Sequence, residues 1–199
     1  MMSTLDTVAW DADGWCSAAR HVPSPNHGAR PAGTAVDLVV VHSISLPPGE
    51  FGGDAIERLF TNTLDADAHP AFAELRGLAV SAHFLIRRDG ELLQFVGVER
   101  RAWHAGRSSW RGRPGCNDYS VGIELEGLEG EAFEAVQYAC LAALIGHLAR
   151  RWPIVEVTGH EHVAPGRKGD PGGRFDWATL AGALPCGRVA VVPQVQEQA

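Results

Sequence analysis

The chain has no CxxC pair. Its four cysteines, Cys16, Cys116, Cys140 and Cys186, are widely spaced in 199 residues. That spacing excludes a disulfide framework or a cysteine-built zinc knuckle and points to a reducing setting. No run approaches the roughly 18 apolar residues of a membrane span, so no membrane partner is expected. The opening "MMSTLDTVAWDADGW" lacks both a basic n-region and an apolar h-region; no secretory leader is read there, and a cytoplasmic location is expected. Positive charge is also in deficit, with 17 Lys and Arg against 24 Asp and Glu, a net charge of −7. Nucleic acid is thereby excluded as the main partner, because phosphate binding needs a basic surface. No internal repeat is visible.

What is present fits one well-buried domain: 45% apolar and 21% charged residues in a chain too short for two comfortable cores. Residues 1–13 and about 187–199 read as loose ends, although the tail "VAVVPQVQEQA" has the composition of a short edge strand. "DLVVVH" (37–42) is a β-branched run of the kind buried on both faces. "DAIERLF" (54–60) reads as a short helix with an acidic N-cap. Residues 79–96 form a hairpin pattern around Asp89-Gly90, a type I′ turn signal. "YSVGIELEG" (119–127) alternates, so a half-buried strand is expected with Glu124 and Glu126 opposite Val121, Ile123 and Leu125. Residues 131–152 carry Phe133, Val136, Cys140, Leu144 and Leu148 at helical spacing, stopped by Pro153. A strand over 154–158 and a helix over 175–184 complete an α+β pattern with α/β-type layering: a mixed sheet flanked by helices.

Chemistry concentrates in "TGHEHVAPGRKGDPGG" (158–173). His160-Glu161 imitates the start of an HExxH zinc helix, but position 164 is alanine, and the prolines and glycines argue for a loop. His42 ends one strand and His160 follows another, where ligand sites form in such sheets. With Asp170 they make a candidate donor set of two imidazoles and a carboxylate, which leaves one position of a zinc ion open. Glu124 is a candidate general base, and Lys168 a candidate electrophile for an oxyanion. Glu126 reads as surface. Seven arginines, at 87, 88, 100, 101, 107, 111 and 113, form a cluster that faces solvent or holds an anionic small substrate.

Five blocks in order resemble the AmpD family, which are cytoplasmic 1,6-anhydro-N-acetylmuramyl-L-alanine amidases. They are "LVVVHSISLPPGEFGG", "VSAHFLIRRDGELLQFV", "RAWHAGRSSWRGR", "CNDYSVGIELEG" and "TGHEHVAPGRKGDPGG", and the similarity runs from about Trp15 to Trp177. The resemblance implies the zinc amidase fold of peptidoglycan recognition proteins and T7-type lysozymes over residues 14–184, with the site in a cleft at strand ends. It assigns Zn2+ to His42, His160 and Asp170 and the catalytic pair to Glu124 and Lys168. It places Arg167, Asn117 and His104 against the substrate, an anhydro-muropeptide cleaved in cell-wall recycling by a monomeric enzyme. An arginine that the family often carries before Cys-Asn is Gly115 here, so Arg113 or Arg111 is the candidate replacement. Two other readings stay open: a non-catalytic muropeptide-binding module, and an amidase acting on intact cell wall as phage lysozymes do.

Overall fold

In the computed structural model, residues 8–185 and 187–193 are described. The strands in chain order are β1 (Arg20–His21), β2 (His27–Ala29), β3 (Leu38–Ile44), β4 (Phe84–Ile86), β5 (Leu92–Gln94) and β6 (Arg100–Ala102). They continue with β7 (Ser109–Trp110), β8 (Arg113–Pro114), β9 (Ser120–Glu126), β10 (Glu156–Gly159) and β11 (Ala190–Val191). The helices are α1 (Ala55–Phe60), α2 (Ala135–Arg151), α3 (His160–Val163) and α4 (Trp177–Ala183).

Seven strands form one mixed sheet in the order β1-β5-β4-β9-β3-β10-β11. β3 lies between β9 and β10 and is parallel to both, whereas β4 and β5 are antiparallel. Val39 and Val41 of β3, with Val121, Ile123 and Leu125 of β9, pack on Leu141, Leu144, Ile145 and Leu148 of α2. Leu38 and Val40 face the other way, onto Ala105, Trp110, Cys116, Tyr119 and Val163. Two covers explain the unbroken apolar run of β3, since a strand buried on both faces has no reason to alternate.

The second cover also changes the reading of β9, which is buried along its whole length rather than on one face. Glu126, expected at the surface, is 2% exposed. Its carboxylate accepts from the Arg87 guanidinium at 2.7 Å and the Gly52 amide at 2.7 Å, which satisfies a charge that would otherwise be untenable there.

The hairpin is present, but its turn is not type I′: of Asp89 and Gly90 only Gly90 has positive φ, at 89°. The Gly90 amide bonds back to Arg87, and the Arg87 amide to Glu91, giving a three-residue loop closed by a left-handed glycine. Asp54 does precede α1, yet its side chain makes no cap and pairs instead with Arg58 at 2.8 Å. α2 starts at Ala135, four residues later than its apolar spacing suggests, and Val136 is 45% exposed. The Gln137 side chain accepts from the Glu134 amide at 3.0 Å, which fixes that start.

Of residues 8–13, expected to be loose, Val8 and Trp10 pack on the core, Trp10 edge-on to Trp152 with ring centroids 4.9 Å apart, while the others are exposed. Burial of two indoles outweighs the entropy of a free end. The tail does supply an edge strand, β11, parallel to β10. The remainder of both expected loose ends, residues 1–7 and 194–199, lies outside the described residues. No helix among them is long and apolar enough to cross a membrane.

Candidate metal centre

Register builds the site. On adjacent parallel strands His42 stands opposite Glu124, and Val41 stands opposite both Ile123 and Gly159. His160, the next residue after Gly159, therefore emerges level with His42. On β9, Glu124 shares its sheet face with Ser120 and Gly122, away from α2.

Strand β10 ends in a single helical turn, α3, a departure from the loop expected over the whole of 158–173. One turn is compatible with that composition because the prolines and glycines begin only at Pro165. The Glu161 amide donates to the Asp170 carbonyl at 2.8 Å, which folds the loop back on itself. Gly169 and Gly172 flank this return, and a Cβ at Gly169 would lie 2.3 Å from a Glu129 carboxylate oxygen. The His162 ring accepts from the Gly159 amide at 3.2 Å and leans on Trp177, so it caps the strand end.

The loop return brings three donors together. His42 Nδ1 and His160 Nδ1 are 2.9 Å apart, and Asp170 Oδ2 is 3.2 and 3.0 Å from them. A tetrahedral ion with bonds of about 2.0–2.1 Å has edges of roughly 3.3 Å. Two imidazole nitrogens and a carboxylate oxygen at this spacing fit such an ion, and the ligands named from sequence are the ones that converge. Burial, followed by the nearness of His160, holds the His42 imidazole down to about 4, leaving it neutral as a ligand must be. Burial works to raise the Asp170 carboxyl, but the two imidazoles set against it win and keep it below the usual carboxylate range.

Beside this cluster is a cavity of about 250 Å³. Glu124 and Lys168 line it, together with an apolar wall that includes Leu46, Leu59, Leu75, Leu78 and Trp103. That wall was not read from sequence, since its members come from four separate segments. Burial, then the charge of Asp170, pushes the Glu124 carboxyl well above its usual range, while Lys168 pulls it the other way. Glu124 Oε2 is buried and has no hydrogen-bond partner among the described residues.

The four residues named for substrate contact have other partners. Asn117 Oδ1 accepts from the backbone amides of His104 and Ala105 at 3.2 and 2.7 Å. Arg167 donates to the Ala105 carbonyl at 2.5 Å and the Arg107 carbonyl at 2.9 Å. Arg113 pairs with Asp37 at 2.7 Å and covers the Tyr119 ring. Only His104 lines the cavity, and its ring nitrogens reach His42 at 2.9 Å and Ser120 at 3.1 Å. None of the seven clustered arginines lines the cavity either; Arg87, Arg88, Arg101, Arg111 and Arg113 are paired with carboxylates.

The pattern that defines the N-acetylmuramoyl-L-alanine amidases matches residues 32–173. The 1,6-anhydro-N-acetylmuramyl-L-alanine amidase AmpD of Enterobacter cloacae is 54% identical over 174 residues, 86% of this chain and 93% of that protein. A crystal structure of a selenomethionine AmpD derivative superposes with a TM-score of 0.85 at 52% identity, covering 89% of this chain and 99% of the other. Escherichia coli AmiD, solved in complex with anhydro-N-acetylmuramic acid-L-Ala-D-γ-Glu-L-Lys, gives a TM-score of 0.55 at 26% identity, over 88% of this chain and 65% of its own. With a ligand set drawn from β3, the turn after β10 and the loop beyond it, and with these similarities along most of its length, the chain belongs to the AmpD family of N-acetylmuramoyl-L-alanine amidases.

Proposed function

We propose that the chain hydrolyses the amide joining the lactyl group of 1,6-anhydro-N-acetylmuramic acid to L-alanine, with zinc as its metal. The observation that carries this reading is the convergence of His42, His160 and Asp170 at 2.9–3.2 Å beside a buried, unpartnered Glu124. Zinc, when bound, supplies Lewis-acid polarisation of a carbonyl and a water acidified towards a pKa of about 7. Glu124 takes a proton at Oε2 from the attacking water and returns one to the leaving amine of L-alanine. Water thus divides between the products, OH to the lactyl carbonyl and H to the amine. Lys168 places positive charge at the carbonyl oxygen as the C–O bond gains negative character. The apolar wall around Trp103 and Leu78 excludes water from one side of the reacting bond.

The same proposal has a monomer working in the cytoplasm on recycled anhydro-muropeptides. Retention of Glu124 and Lys168 around the donor set favours catalysis over a binding-only module. The test is mass spectrometry of products from anhydro-muropeptides, with and without a chelator. Release of free peptide that stops with chelator and returns with zinc is the expected result. Cleavage indifferent to chelation refutes the metal reading, and release of peptide from intact wall alone favours the phage-type alternative.

A further inference from the structure

Both ring nitrogens of His104 are committed to partners inside the protein, His42 and Ser120. We propose that His104 is a positioning residue for the metal centre: with Ser120 and the Cys116 carbonyl it forms a one-way hydrogen-bond relay that holds His42 in the tautomer presenting a bare Nδ1 to His160 and Asp170. The inference deepens the metal reading above and rests on it.

The direction of each hydrogen is set from the far end. A peptide carbonyl only accepts, so the single hydroxyl hydrogen of Ser120 goes to the Cys116 oxygen, 2.6 Å away. Ser120 Oγ then accepts from His104 Nε2–H across 3.1 Å. In a neutral ring the other nitrogen is bare, so His104 Nδ1 accepts from His42 Nε2–H at 2.9 Å. The His42 proton is thereby placed on Nε2, and Nδ1 keeps its lone pair for the metal.

The same stretch of chain fixes the second imidazole. His160 Nε2 lies 3.3 Å from the Ala105 carbonyl, an obligate acceptor, which again leaves Nδ1 bare. Residues 104 and 105 thus orient both histidine ligands, and the Asn117 side chain holds their two amides. The seat of the His104 ring is Gly122, where a Cβ would lie only 2.4 Å from the imidazole Cγ. Absence of a side chain at position 122 is what makes room for the ring between Ser120 and His42.

The experiment compares wild type with His104→Leu, His104→Asn and Ser120→Ala, each checked for folding by circular dichroism. Asparagine puts its Oδ1 where the imidazole Nδ1 stood, so it retains the acceptor for His42 and loses only the Ser120 contact. Long-range 1H–15N correlation spectra of the metal-free proteins read the His42 tautomer. The expected result is a single Nε2–H form in wild type and His104→Asn, and a mixture in His104→Leu and Ser120→Ala. Competition with a chromophoric chelator should show zinc binding about 10- to 100-fold weaker in His104→Leu, with His104→Asn within about threefold of wild type. Wild-type tautomer and zinc affinity in His104→Leu overturn the proposal. Equal losses in the leucine and asparagine variants do the same, because packing would then be the cause. If His104→Leu does not fold, Ser120→Ala with an unchanged His42 tautomer overturns it. A wild-type chain that binds no zinc refutes the metal reading, and the tautomer spectra still decide the relay.

Discussion

Replacing Gly122 with alanine is the smallest change that tests how the centre is supported. The backbone at Gly122 is an ordinary strand residue without positive φ, so alanine meets no conformational penalty there. Its methyl would instead lie 2.4, 2.6 and 2.7 Å from His104 Cγ, Nδ1 and Cδ2. Ordinary contact starts near 3.4 Å, so the ring must retreat from β9 by about 1 Å. Ser120, its Nε2 partner, is on the same strand and cannot follow; that bond, now 3.1 Å, passes the limit of a useful hydrogen bond. Overpacking of this kind costs about 1–3 kcal/mol, or about 2–12 °C in Tm at 2–4 °C per kcal/mol for a chain of this size. Calorimetry of Gly122→Ala should show that loss, and chelator competition a weakened zinc site. Gly53→Ala is the control, since a Cβ there meets nothing within 4 Å and its φ is not in the left-handed region. Gly122→Ala with the Tm and zinc affinity of the control would refute the argument.

Other outcomes follow from the same structure. Lys168→Ala should keep the metal and lose about 10²–10³-fold in turnover, whereas His42→Ala should lose both; metal analysis beside product release checks the pair. Arg87→Ala removes the guanidinium partner of Glu126, which is 2% exposed and keeps the Gly52 and Arg88 amides, and should cost about 3–5 kcal/mol in denaturant unfolding. Gly182→Ala, inside α4 with open space around its Cβ, should raise stability by about 0.5–1 kcal/mol in the same assay. Burial pushes the Cys140 thiol up to about 12, so peptide mapping after iodoacetamide treatment should find it unlabelled in the folded protein at pH 8 and labelled in urea.

Much of this molecule is legible in its sequence where chemistry and periodicity agree. The apolar run of β3 announces a doubly covered strand, and the histidines at the ends of β3 and β10 mark the centre before any geometry is known. Legibility fails where long-range packing decides. Alternation on β9 suggests a wet face because nothing local reveals that residues 100–119 fold over it. Gly52 and Arg87, from two other segments, turn Glu126 from a surface acid into half of a buried ion pair. The bonds of Asn117 and Arg167 to backbone, and of His104 to a ligand histidine, join segments far apart in the chain and leave no local mark. His162 could not be placed from its neighbours, since its partner is an amide three residues back.

The span between the first and last ligand has a consequence for when the centre can form. His42 and Asp170 are 128 residues apart, and His160 meets His42 only once β10 has paired with β3. No shorter fragment of the chain holds the full donor set, and the site takes its shape only when the three central strands are in register. Stabilisation by the ion then acts on the finished structure by mass action, about 4.1 kcal/mol at a thousandfold excess over Kd. A one-residue slip of β10 would turn its side chains to the α2 face and break the set. Metal uptake during refolding is therefore a direct clock for correct assembly of the sheet.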